Sequence, residues 1–213
     1  MNSHLVFSSQ ILKFELVKNA NQMAIILNLF GGPGSGKTTL AAGIFHSLKI
    51  LHKNVEIVSE FPKELILSQN QIALDNQFYV TGNQAYRQWS ASKIYDYVIM
   101  DSPILLGAIY NNDEHISAEF NAFLLKYHQE FNNINIYLKR DSNWLYSTKG
   151  RRHNSEEALA KDEEIYRFLV NNNIDFHEID RMNPNIEQHI LGDILQISEF
   201  NYDVRLSPYI HKL

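Results

Sequence analysis

Gly31, Gly36, Lys37 and Thr38 stand in the spacing G-x-x-x-x-G-K-[ST], inside the stretch LFGGPGSGKTTLAAGIF that covers residues 29–45. Glycines so spaced let the chain curl until successive N–H groups point inward at phosphate oxygens, and the positive end of the next helix adds to that field. Lys37 then reaches the β- and γ-phosphates while the Thr38 hydroxyl holds Mg2+. Gly32, Gly34, Ser35, Gly36, Lys37, Thr38 and Thr39 are therefore expected to bind ATP. The segment YDYVIMDSP ends an apolar run in Asp101. That is where a carboxylate would join Thr38 on Mg2+, although an aspartate there also serves as a cap or turn former.

The chemistry then divides. A water-activating ATPase commonly carries a glutamate after the strand-terminal aspartate, and Ser102 and Pro103 stand there instead. A kinase needs a group that takes the acceptor's proton at the rim of another strand. Glu60 meets that need, following VEIVS and opening EFPKEL; its alternative role is to stabilise a helix N-terminus. In QFYVTGNQAYRQW, Gln84 can offer an amide to a base edge and Arg87 a cation to the acceptor, while Tyr79, Tyr86 and Trp89 read as core or as stacking surfaces. Downstream, KRDSNWLYSTKGRRHN holds five of the 19 Lys and Arg residues. Within it, Arg151 and Arg152 suit a lid that stabilises transferred charge; a solvated loop or a patch for a nucleic-acid backbone are the other readings.

These residues need a scaffold, and the sequence predicts one. Apolar runs at 24–30, 55–59, 97–100, 134–138 and 174–178 read as strands, alternating with helices at 36–52, 61–68, 78–93, 116–132, 155–171 and 186–194. Alternation of this kind is the pattern of an α/β fold with a parallel sheet. NSEE at residues 154–157 reads as a capped helix start, and EEALAKDEE at 156–164 as a solvated helix face. The expected organisation is an N-terminal extension at 1–22, one domain at 23–197 and a tail at 198–213.

Composition narrows the rest. The chain has 213 residues, 45% of them hydrophobic, enough for one buried core. A net charge of −5 supplies no global field toward nucleic acid or an anionic membrane. The absence of cysteine excludes thiol catalysis and thiolate metal sites, and suits the cytoplasm. No apolar window reaches membrane-spanning length, no signal-peptide pattern opens the chain, and the nine histidines lack metal-ligand spacing. Oligomeric state stays open, a dimer included.

From residue 23 to about 180 the chain resembles small P-loop nucleoside and nucleotide kinases, above all short phage-encoded proteins of the nicotinamide riboside kinase type. The resemblance is carried by GGPGSGKTT, VSEFPKEL, DNQFYVTGNQAYRQ, YVIMDSPIL and GRRHNSEEALAKDEEI. It implies a P-loop three-layer fold with strand order 2-3-1-4-5, ATP and Mg2+ at the glycine loop, and an acceptor pocket under the second and third helices. It also implies Glu60 as base and Gln84 as reader of a nucleobase. Related kinases carry an arginine where Ser102 stands, which leaves that role vacant or filled by Arg87 or the lid. Some similar phage kinases phosphorylate 5-hydroxymethyluracil in DNA, so DNA is an acceptor the resemblance admits. The rival reading is an ATP-binding switch or scaffold with little transfer.

Overall fold

The computed structural model describes residues 23–111, 117–140 and 154–198. Lys149, Arg151 and Arg152, the N-terminal extension, and nearly all of the tail lie outside them.

Five short strands form the centre: β1 (Ile25–Phe30), β2 (Val55–Val58), β3 (Tyr97–Met100), β4 (Asn132–Lys139) and β5 (His177–Asp180). All pair in parallel, in the order β2-β3-β1-β4-β5. Because β1 is central, its C-terminal end delivers the glycine loop to the middle of the sheet's upper rim, the usual ligand position in such sheets.

The helices follow in chain order: α1 (Lys37–Ile50), α2 (Phe61–Leu67), α3 (Gln71–Asp75), α4 (Gln77–Ser92), α5 (Leu106–Tyr110), α6 (Ser117–Gln129), α7 (Ser155–Asn171) and α8 (Ile186–Gln188), which runs into a π-helical turn, His189–Ile194. Alternation along β1 divides them between two faces. Leu27 and Leu29 pack with Leu40, Ile44 and Leu48 of α1 and with Ile190 and Leu191. Ile26 meets Ala91 of α4, and Phe30 meets Leu124 of α6 and Ile165 and Leu169 of α7.

The second face is not wholly apolar. Asn28, fully buried in β1, donates through Nδ2 to Asn133 (2.9 Å) and Asn135 (3.0 Å) of β4. Those partners explain why β4 begins at Asn132 rather than at Ile134: Asn133 and Asn135 each accept a hydrogen bond across the sheet, so pairing extends through them. The fifth strand lies three residues later than its apolar run suggests. Ile174 and Phe176 are taken up by the α6–α7 cluster before pairing starts, and Ile179 faces the α1 side.

Candidate functional site

β1 ends in a loop that only glycine builds readily. Gly34 and Gly36 have φ of 77° and 98°, a region that Cβ disfavours. Gly36 is also the N-cap of α1 and has no side chain to cap the first turn, which leaves the helix N-terminus open to an anion. The Ser35 side chain is buried, and its hydroxyl has no partner among the described residues. A phosphate oxygen suits that donor.

Lys37 turns its amine back on the loop, donating to the carbonyls of Gly31 (2.6 Å) and Gly32 (3.1 Å). Burial lowers its pKa, while Glu60, Asp101 and Asp162 act in the opposite sense. Thr38 Oγ1 donates to Asp101 Oδ2 at 2.7 Å, so two hard oxygen donors from α1 and the end of β3 stand together. That donor set fits Mg2+, which takes few protein oxygens alongside substrate phosphates. Thr39 is exposed on the first turn of α1.

Glu60 is the N-cap of α2, directly beyond β2, without a side-chain capping bond. Burial raises its pKa, and Asp101 adds to the rise while Lys37 and Lys63 oppose it. Glu60 thus feels both Lys37 and Asp101, which follows β3, and the rim of the sheet brings all three into one field.

Two expected acceptor residues have other partners here. Gln84 is buried on α4; its Oε1 accepts from Phe61 N–H at 3.2 Å and its Nε2 donates to the Ser59 carbonyl at 3.2 Å. Its amide brackets Glu60 on both sides in sequence, so in this structure it holds the turn. Arg87 grips Glu64 with a two-pronged pair at 2.5 and 2.8 Å and lies over the Phe61 ring at 4.8 Å. In this structure its guanidinium is thus engaged by Glu64 and Phe61. Nor are Tyr79, Tyr86 and Trp89 core: they are 47%, 66% and 47% exposed, because α4 buries Val80, Thr81, Gln84, Gln88 and Ala91 instead. The two catalytic arginines expected from the lid, Arg151 and Arg152, lie outside the described residues.

Residues 156–164 form a largely solvated face as expected, except at Ala158 and Asp162, which are buried. The capping box of Asn154 and Glu157 forms as expected, but Asp162 points inward and its Oδ1 accepts from Gly32 N–H at 2.5 Å. Its other oxygen accepts from Arg140 Nε at 2.7 Å, and Arg140 Nη2 also donates to the Pro33 carbonyl at 2.8 Å. Beyond β5, Arg181 Nη1 donates to the Gly34 carbonyl at 3.2 Å. Arg140 was legible only as one of a run of cations. For Asp162, the available signal was its spacing: Ala158, Asp162, Ile165 and Leu169 recur at 3.6-residue periodicity and are the residues α7 buries.

A family model described as an AAA domain matches residues 27–188. Among solved structures, the chain is similar to the NadR protein in complex with NR, at 15% identity and a TM-score of 0.62, covering 84% of this chain and 53% of that one. It therefore spans about half the length of that protein. It is also similar to the deoxyadenosine kinase from M. mycoides with products dCMP and a flexible dCDP bound, at 19% identity and a TM-score of 0.50, covering 80% and 98% of the two chains. At these identities the likeness is one of fold, and it agrees with the sheet order described above. No curated protein matches in sequence. Among the described residues, no helix is long and apolar enough to cross a membrane.

Proposed function

The chain belongs to the AAA-domain family, and from that premise we propose that it is a kinase moving the γ-phosphoryl group of ATP to a hydroxyl or phosphate of a nucleoside-like acceptor. The observation that carries this reading is that two acids leave adjacent parallel strand ends beside the glycine loop: Asp101 beyond β3, which accepts from Thr38 and whose N–H donates to the Val58 carbonyl at 3.2 Å, and Glu60 two residues beyond Val58 of β2. An acid across the loop, rather than one next to Asp101, suits an acceptor larger than water.

In this reading Lys37 leaves the carbonyls of Gly31 and Gly32 for the β- and γ-phosphate oxygens, and the Ser35 hydroxyl and the first-turn N–H groups of α1 take the remainder. Thr38 and Asp101 would hold Mg2+, which when bound neutralises charge on the phosphates. Glu60 orients the acceptor hydroxyl and receives its proton as the new oxygen–phosphorus bond forms, while the bond from γ-phosphorus to the bridging oxygen breaks and ADP leaves. The raised pKa of Glu60 makes it a better proton acceptor than an exposed carboxylate. Arg151 and Arg152 are proposed to stabilise the transferred charge.

The test is transfer of labelled γ-phosphate from ATP with Mg2+ to a panel of nucleosides, nucleoside monophosphates, nicotinamide riboside and DNA containing 5-hydroxymethyluracil. Label in one acceptor is the expected result and names the substrate class. Salt-sensitive binding to DNA accompanies that result only if DNA is the acceptor. Tight ATP binding with no labelled product across the panel would replace the kinase with a nucleotide-dependent switch.

A further inference from the structure

The inward N–H groups of a glycine loop are an anion site, so they cannot also fix the loop's shape; groups facing outward must do that. Here three consecutive residues are held from outside. Gly32 N–H goes to Asp162, the Pro33 carbonyl to Arg140 and the Gly34 carbonyl to Arg181. Asp162 is the node of this set, since it also accepts from Arg140 and its own carbonyl accepts from the Tyr137 hydroxyl at 3.1 Å. The approach is close: a Cβ on Gly32 would meet Asp162 Oδ1 at 2.6 Å and the Ala158 carbonyl at 2.8 Å. Helix α7 therefore rests directly on the loop backbone.

A carboxylate this near a phosphate site is electrostatically unfavourable unless a cation cancels it. The Asp162 and Arg140 side chains are only 10% and 6% exposed, so solvent does little of that cancelling; Arg140 is the cation in contact with Asp162, with Lys37 also in its field. We infer that Asp162 and Arg140 are positioning residues for the nucleotide phosphates: Asp162 sets the loop through Gly32, and Arg140 both braces Pro33 and neutralises Asp162. The pair also links the loop to α7, the helix that directly follows the basic segment.

The inference rests on the nucleotide site proposed above and not on transfer, so it is read by binding alone. Affinity for N-methylanthraniloyl-ADP with Mg2+ is measured for the full chain and for Arg140→Met, Asp162→Asn and the double variant. Arg140→Met leaves an unpaired buried carboxylate beside the phosphates and should weaken binding by about 10-fold or more. Asp162→Asn keeps an oxygen for Gly32 and should cost about 3-fold. The double variant should bind more tightly than Arg140→Met alone, because the offending charge has gone.

Ile165→Ala, one turn along α7, lowers thermal stability without moving affinity and so separates a general loss of fold from loss of the pair. Arg140→Met binding as the unmodified chain does, or the double variant losing the product of the two single losses, would overturn the inference. A chain that binds the probe but labels no acceptor leaves this inference standing and removes the kinase reading.

Discussion

Two turns at the rim of one sheet are braced in the same way with opposite chemistry. The glycine loop beyond β1 is held by a charged pair, Asp162 and Arg140, acting on the backbone of Gly32 and Pro33. The Glu60 turn beyond β2 is held by a neutral amide, Gln84, acting on Ser59 and Phe61. Near the phosphates a brace has to be cancelled in charge. Beside Glu60 a charged brace would shift the carboxylate proposed as the base, and an amide avoids this. Asp162 and Gln84 come from helices on one face of the sheet, α7 and α4, while Arg140 directly follows β4, so both turns depend on that layer.

Removing the neutral brace is the strongest way to break this comparison. Gln84→Leu removes the partner of the buried Phe61 N–H, at about 1–3 kcal/mol, and that of the Ser59 carbonyl, which water can reach. Catalytic turnover should fall about 10-fold as Glu60 loses its place, with affinity for ADP unchanged. If the acceptor's KM rose while turnover held, Gln84 would instead be reading the acceptor.

Acid should loosen the shared layer and so act on both turns together. His128 of α6 is buried, its Nδ1 has no partner among the described residues, and burial lowers its pKa from 6.5 to about 4. Well above pH 6.5 the ring is neutral folded or unfolded and contributes nothing. As pH falls toward 4, the unfolded chain takes a proton that the folded one refuses, so stability drops by about 3 kcal/mol across that interval. Urea unfolding followed over pH should show the slope, and His128→Leu should flatten it.

Arg87 sharpens the contrast at small scale. Its pair with Glu64 is partly exposed, the two side chains being 31% and 49% accessible, so Arg87→Ala should cost about 1 kcal/mol or less in thermal stability. The acceptor's KM should not move. A large rise would restore Arg87 to the acceptor site.

The glycine loop was legible because its chemistry is backbone chemistry, and backbone geometry is written in the spacing of Gly31, Gly36, Lys37 and Thr38. The sheet order followed from resemblance and stands in the structure. What could not be read were side chains whose task depends on a distant partner. Gln84 among aromatics looks like a base reader until the Ser59–Phe61 turn is placed against it, and Asp162 among glutamates looks solvated until Gly32 arrives 130 residues away in sequence. The short helices α3 and α5 were missed for a related reason: five residues are too few to show a period, and Ile72 in α3 is 88% exposed.

If the loop and the Glu60 turn form one transfer site, Glu60→Gln separates binding from transfer when ADP affinity and label transfer are measured on the same protein, beside Lys37→Ala. Glu60→Gln should bind ADP as the unmodified chain does and transfer label about 100-fold more slowly or worse, while Lys37→Ala should stay folded and lose transfer altogether. Undiminished transfer by Glu60→Gln would contradict the account.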